Sequence, residues 1–239
     1  PALNRMLKQT GENFRAIIRT ALAGGSKVLV CIPAVNLNDW PPLASAEGYD
    51  PAISARAAYA RAQDLQAQGR LAEAWPYYRR ACDLDQVRLR ADSRVRQLQR
   101  EIAAEFDPAD VLVVDADQWL HEQNPRFQSD RKFFLEHVHL TFEGRVAVAS
   151  LIVDGLDRLL GQPDKAPSAE GWWGLLPARM ESAKERAFFT EFDEAFMWDR
   201  IAGLLGNRVF QTLPDLPERQ AAARRNAGAA QAAARKRWS

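Results

Sequence analysis

The chain has 239 residues, 47% of them hydrophobic, and its 32 Lys and Arg against 31 Asp and Glu give a formal net charge of +1. This length and composition can bury a sizeable core, in one large domain or in one domain with appendages. Because the strong positive field typical of nucleic-acid binders is lacking, we expect no nucleic-acid partner. The longest apolar runs, VLVCIPAV and VLVVDA, are far shorter than the roughly 20 residues of a membrane-spanning helix, so we expect no membrane span.

The chain begins with an amphipathic segment that Gly24 and Gly25 end. Its apolar residues recur at intervals of three and four, which predicts a helix with one buried face. The next residues, KVLVCIP at 27–33, form a continuous apolar and β-branched run. Such a run is typical of a strand that is buried on both faces of a parallel sheet.

Residues 51–106 are predicted to form an all-helical insert that is broken at Gly69. Within it, AYARAQDLQAQGRLAEAWPYYRRACDLDQ resembles a single tetratricopeptide-type helical hairpin, in which Gly69 marks the turn and Ala74 and Ala81 face inward. Pro76 falls inside the second helix, where it removes a backbone hydrogen bond or forces a kink. Stacked repeats normally need about three copies for stability. The insert is therefore interpreted either as a hairpin packed on its host or as a surface that binds a protein partner.

A second apolar run, DVLVVDA at 110–116, is followed by the helical pattern TFEGRVAVASLIVDGLDRLLG. Alternating helices and buried strands predict the α/β class, with residues 27–33 and 111–115 as neighbouring parallel strands. Two strands alone do not make a sheet that is covered on both faces. We therefore expect further strands of the domain upstream of Pro1.

The remainder of the chain is predicted to be a linker, residues 162–176, and a helical appendage, residues 177–239. The linker prediction follows from the turn-forming tract GQPDKAPSAEGWWG. The appendage has a dense aromatic face, which is interpreted as core or interdomain packing, with a ligand cage as the less favoured alternative. This face consists of Phe188, Phe189, Phe192, Phe196, Met197 and Trp198. The final tract, QAAARRNAGAAQAAARKRWS, favours helix but has little apolar face, which predicts a frayed, exposed helix.

Two of the three histidines and a glutamate lie within four positions of FFLEHVHLTFEG, residues 133–144. Three interpretations compete. The histidines are ordinary loop residues, one exposed and one in the core. Alternatively, His137 and His139 bind a metal that His121 or Glu136 helps to hold, although a closed site requires four ligands. In the third interpretation, one histidine is a general base and a carboxylate orients it.

The spacing of Glu136 and His139 carries the third interpretation. A carboxylate at position i and a histidine at i+3 of a turn can meet through Nδ1 of the ring. Nε2 is then left to accept a proton from a serine nucleophile. His139 is therefore predicted to be the catalytic base, Glu136 its orienting partner, and His137 a wall of the site or a surface residue.

Residues 136–144, EHVHLTFEG, resemble the last signature block of the SGNH, or GDSL-type, hydrolases, in which D-x-x-H precedes a helix. The resemblance spans roughly residues 1–160 outside the insert, and KVLVCIPAVNLNDWPPLAS and DVLVVDADQWL are similar to the late strands of that fold. VNLNDWPPLAS and FLEHVHLTFEG are also similar to segments of bacterial proteins that combine such a domain with tetratricopeptide repeats. Residues 185–225 resemble, more weakly, the helical region that follows the domain there.

This resemblance implies that residues 1–161 are the C-terminal part of a three-layer α/β/α, flavodoxin-like domain. Glu136 stands where the family has aspartate, and Leu140 where it commonly has proline. The family's serine, oxyanion-hole glycine and asparagine blocks precede the final block and do not occur in this chain in that order. Ser26 precedes a strand instead of following one. The nucleophile is therefore expected in a segment upstream of Pro1.

The implied activity is hydrolysis of an ester by a serine acyl-hydrolase, with a small-molecule or glycan ester as substrate. No metal and no cofactor are expected. The isolated chain is expected to be inactive. The alternative is a non-catalytic scaffold that binds a protein partner through the helical insert, because a hydrolase-like fold does not by itself establish catalysis.

Overall fold

A computed structural model of the chain describes residues 2–46, 51–122, 132–161 and 169–238. In these residues the elements follow the order α1 (Ala2–Ala23), β1 (Val28–Ile32), α2 (Ala55–Ala67), α3 (Leu71–Leu84), α4 (Ser93–Ala103), β2 (Val111–Asp115), α5 (Ala116–Glu122), α6 (Phe142–Leu159), α7 (Ala169–Ala187), α8 (Glu191–Leu204) and α9 (Leu216–Trp238). Short 3-10 helices lie at Pro51–Ile53 and Arg208–Phe210. The fold is thus mixed α/β and mostly helical.

The chain divides into two compact units. The first unit comprises Pro1–Val35, Arg88–Gln128 and Ala147–Gly174, and the second unit comprises Asn36–Val87, Ser129–Val146 and Leu175–Ser239. Residues 51–106, predicted as one insert, are divided between them: the α2–α3 hairpin belongs to the second unit and α4 to the first.

The first unit contains a parallel pair of strands. β1 and β2 pair in register from Val28 with Val111 to Ile32 with Asp115, which confirms the predicted neighbouring strands. Val30 and Ile32 are buried, whereas Leu29 and Cys31 are only half-buried. The expectation that β1 is buried on both faces is therefore only partly met, because one face of the strand is buried and the other is half-buried.

Helices cover both faces of this pair. Ile18 of α1 and Ile102 of α4 pack with Val30, Ile32 and Val111 in one buried cluster. On the other side, α6 approaches closely at Gly155. A Cβ atom there would lie 2.4 Å from Cγ2 of Val114 and 2.9 Å from Cδ1 of Leu29. Glycine at this position therefore sets the distance between the helix and the sheet.

The second unit contains the predicted hairpin. Gly69 has a φ of 74° at the turn between α2 and α3, a conformation that glycine adopts without strain. Ala74 and Ala81 are buried, as predicted, and α3 continues through Pro76. The carboxylate of Asp85 then accepts the backbone N–H groups of Leu43 and Ala44, both at 3.0 Å. These bonds fix the end of the hairpin to residues 43–44 of the same unit.

Helices α8 and α9 pack on each other beside a cluster centred on Trp40. The cluster is formed by Trp40, Leu43, Ile201, Leu205, Phe210, Leu213, Leu216 and Ala223. Along α9, small side chains are buried at intervals of three and four: Ala223, Ala227, Ala230 and Ala234. The predicted frayed, exposed tail is therefore wrong, because this alanine stripe lets α9 approach a neighbouring helix closely.

The aromatic residues of the appendage also differ from the prediction. Phe188, Phe192 and Phe196 have 85%, 54% and 66% of their surface exposed. Phe189 stacks on Phe142, with ring centroids 4.2 Å apart. The packing interpretation thus holds for Phe189 and for Trp198, which packs against the Trp40 cluster, but not for the three exposed phenylalanines.

The predicted linker differs in part from the structure. Residues 162–168 lie outside the described residues, and α7 already begins at Ala169. Gly171, Gly174 and Pro177 weaken a helix without forbidding one, so turn-forming composition is a poor guide here. None of the helices in the described ranges combines the length and the hydropathy needed to cross a membrane.

Candidate functional site

Residues 133–141 form a closed loop in the second unit. The N–H of Thr141 donates to the carbonyl of Phe133 at 2.9 Å, and the N–H of Leu135 donates to that of His139 at 2.7 Å. Phe134 and Leu140 form an isolated antiparallel bridge between these two bonds. The chain therefore enters and leaves the Glu136–His139 turn at neighbouring points, which fixes the shape of the turn.

The sequence after the loop anchors it to α6. Oγ1 of Thr141 accepts the N–H of Gly144 at 3.1 Å, which satisfies a donor at the start of the helix. A Cβ atom on Gly144 would lie 2.3 Å from the carbonyl oxygen of Phe133. Only glycine allows the first turn of the helix to lie this close to the loop. Thr141 and Gly144 of the tetrapeptide T-F-E-G therefore hold the loop closed through local contacts.

Glu136 occupies the centre of the loop, with 2% of its surface exposed. Its Oε2 accepts the N–H of His137 at 2.8 Å, and its Oε1 accepts the N–H of His139 at 2.6 Å. The N–H of Val138 donates to Oε1 at 3.3 Å. A buried carboxylate requires such partners, because an unpaired charge in the interior is costly. The carboxylate thus determines the backbone conformation of the two histidines that follow it.

His139 contacts the same carboxylate through its ring. Nδ1 lies 2.5 Å from Oε1 of Glu136, while 57% of the His139 side chain is exposed. The contact that the i, i+3 spacing predicts is thus present. Because Nδ1 is engaged by the carboxylate, Nε2 is the nitrogen available for proton transfer.

His137 lies on the other side of the turn, in the core. Its ring packs between Trp40 and Phe210, with centroid distances of 5.3 and 5.4 Å. Its Nδ1 also contacts Oε2 of Glu136. With 6% of its surface exposed, His137 is buried and supports the loop from beneath.

Asn36 fixes the loop from a distant part of the sequence. Its side-chain amide donates to the carbonyl of Glu136 at 3.0 Å, and its backbone N–H donates to the carbonyl of His137 at 3.0 Å. Its Oδ1 accepts the N–H of Asp39 at 3.2 Å. This residue was not among the predicted site residues. The signal in the sequence is the pair of asparagines among the apolar residues of VNLNDWPP, because polar side chains in such a segment need hydrogen-bond partners.

The exposed side of His139 faces a cavity of about 530 Å³ in the second unit. It is lined by Leu135, His139, Arg145, Phe196, Met197, Asp199, Arg200, Ile201, Gly203, Leu204 and Asn207. No serine, threonine or cysteine belongs to this lining of described residues. No pattern in the sequence joins Arg145 of α6 and Arg200 of α8 to His139, because their proximity depends on helix packing.

The third histidine, which one interpretation added to a metal site, lies in the first unit. Nε2 of His121 is 3.2 Å from Oδ1 of Asp117, and both side chains are fully buried. Nε of Arg96 lies 3.5 Å from the other oxygen of Asp117. A search over the described part of the chain finds no group of three His, Cys, Asp or Glu side chains placed to hold a metal ion.

The described cysteines are poor candidates for a nucleophile. Burial, with a smaller effect of Asp115, raises the pKa of the Cys31 thiol above its ordinary value. The reactive thiolate is therefore disfavoured. Cys82 is buried in α3.

Comparisons with models of protein families, with curated proteins and with solved structures returned no match to this chain.

Proposed function

We propose that this chain carries the C-terminal part of an SGNH-type acyl hydrolase, a three-layer α/β/α domain whose general base is His139. The observation that carries the proposal is the pairing of His139 Nδ1 with buried Glu136 Oε1 at 2.5 Å, beside an exposed ring that lines a cavity. A carboxylate in this position selects the tautomer with the proton on Nδ1 and stabilises the imidazolium that forms during reaction.

In this proposal, Nε2 of His139 takes the hydroxyl proton of a serine as the serine oxygen attacks the ester carbonyl. The imidazolium then returns the proton to the departing alcohol, and water hydrolyses the acyl-enzyme by the same route. No hydroxyl or thiol side chain lines the described cavity, so the serine is not one of these lining residues. We place it, as the family order implies, in a segment upstream of Pro1.

The test is hydrolysis of a short-chain aryl ester by a protein that includes the upstream segment. A general base contributes about a hundredfold to ten-thousandfold in rate, so His139→Ala should lower kcat by that order. The matched control is His137→Phe, which keeps an aromatic ring between Trp40 and Phe210 and should cost far less. Glu136→Gln should fall between the two. Undiminished activity in His139→Ala, or clear activity of the 239-residue chain alone, would contradict the proposal.

The second candidate is a non-catalytic scaffold that binds a protein partner through the α2–α3 hairpin. The absence of a nucleophile from the described cavity favours it, as does a second cavity of about 450 Å³ on the hairpin. Arg56, Tyr59 and Gln63 of α2 line this cavity together with Pro41 and Pro42. In the scaffold candidate, Arg56→Ala and Gln63→Ala should weaken capture of a protein partner, and the full-length protein should show no ester hydrolysis. In the hydrolase proposal, hydrolysis is present and His139→Ala lowers it.

A further inference from the structure

Two arginines line the same cavity as His139. Arg145 projects from the first turns of α6, and Arg200 from α8. Neither guanidinium forms a hydrogen bond or an ion pair with any of the described residues. Several other arginines are paired, as Arg219 is with Asp215 at 2.8 Å. Within the part of the chain that the structure describes, Arg145 and Arg200 therefore line the cavity as two guanidiniums without an ion-pair partner.

The only acidic side chain of the described lining is Asp199, so two guanidiniums face one carboxylate. A lone exposed arginine on a helix is ordinary surface. Here the two arginines come from separate helices and line the same cavity as His139. The planar guanidinium presents a fork of donors that matches a carboxylate or a phosphate. The apolar lining of Leu135, Phe196 and Met197 suits the rest of such a molecule.

We infer that the ester taken at this site carries an anionic group, a carboxylate or a phosphate, which Arg145 and Arg200 bind. The inference rests on the proposed function for the reaction. The binding of the anion, however, stands on the two arginines and is measured independently of turnover.

The first experiment measures binding to the 239-residue chain by calorimetry. The probe is para-hydroxybenzoate, and the neutral control of the same shape is para-hydroxybenzamide. A charge-assisted hydrogen bond contributes about 1.5–3 kcal/mol, so the benzoate should bind about tenfold more tightly. Its binding should also shift the imidazole NMR signals of His139. Equal affinity for the two probes, or benzoate binding that leaves His139 unperturbed, would overturn the inference.

The variants Arg145→Gln and Arg200→Gln should each weaken benzoate binding about tenfold. Arg224→Gln is the matched control, because Arg224 is exposed on α9 of the same unit and does not line this cavity. Unchanged affinity in both cavity variants, or an equal loss in Arg224→Gln, would overturn the inference.

A second experiment separates this inference from the proposed function. With the upstream segment present, hydrolysis of para-acetoxybenzoate is compared with that of para-acetoxybenzamide. The cavity variants should lower kcat/KM for the anionic ester about tenfold more than for the neutral one. Hydrolysis of neither ester, with benzoate binding intact, would refute the hydrolase and keep the anion site. If both esters are hydrolysed at rates that do not depend on Arg145 or Arg200, the anion site is refuted and the hydrolase proposal is kept.

Discussion

Replacing Glu136 by glutamine tests whether the buried carboxylate holds the loop together. The carboxylate accepts the N–H groups of His137 and His139 at 2.8 and 2.6 Å, one on each oxygen. Glutamine has only one oxygen. Its amide nitrogen must therefore face one of these two donors, whichever way the side chain is turned.

The expected cost follows from these contacts. A buried donor left without an acceptor costs about 1–3 kcal/mol, and the remaining bond loses its charge assistance. Removing a charge from the interior recovers part of this loss. We therefore expect Glu136→Gln to lower the free energy of opening of the loop by about 2 kcal/mol.

Native-state hydrogen exchange of the His137 and His139 amides measures this quantity locally, which matters in a chain with two units. A loss of about 2 kcal/mol corresponds to roughly thirtyfold less protection. The control is Glu143→Gln, whose carboxylate is bound to Lys132 at 2.8 Å and is 20% exposed. A surface pair contributes only about 0.2–1 kcal/mol. Equal protection in the two variants would refute the reasoning.

Two further predictions concern packing and pH. Urea unfolding should show that Gly155→Ala destabilises the first unit by about 1–3 kcal/mol, because the new methyl group would overlap Val114 and Leu29. In the same measurement Gly228→Ala should stabilise α9 by up to about 1 kcal/mol, because the space around Gly228 is open. At the start of α4, burial acts to raise the pKa of Asp92, but hydrogen bonds from Arg94 and the chain, with nearby arginine charges, outweigh it and lower that pKa. Since the folded pKa lies below the unfolded one, Asp92 stabilises the protein above about pH 4 and loses this effect as the pH falls further; the acid limb of a Tm titration should therefore flatten in Asp92→Asn, and an unchanged limb would contradict this assignment.

Features that depend on short stretches of sequence could be predicted. The two strands follow from continuous β-branched runs, and the Gly69 turn from one glycine between two helical patterns. The contact between Glu136 and His139 follows from their spacing. In each case neighbouring residues supply most of the bonds that define the feature.

Features that depend on distant residues could not be predicted. Alanines contribute little to an apolar pattern, so the buried stripe of α9 became visible only beside α8. Asn36 reaches a loop 100 positions away. The cavity arginines belong to different helices. The division of residues 51–106 between two units likewise depends on which elements pack together, and periodicity reports only that a face is apolar.

The bonds that align His139 with Glu136 lie almost entirely within residues 133–144, with Asn36 as the exception. Within the folded state, geometry that is held so locally depends little on substitutions far from the loop. A destabilising substitution far from the loop should then reduce how many molecules are folded while each folded molecule keeps the same imidazole orientation. The fraction of folded molecules and the orientation of the His139 ring can therefore change independently. Substitutions in helices that do not contact the loop can accumulate without changing the contact between His139 and Glu136.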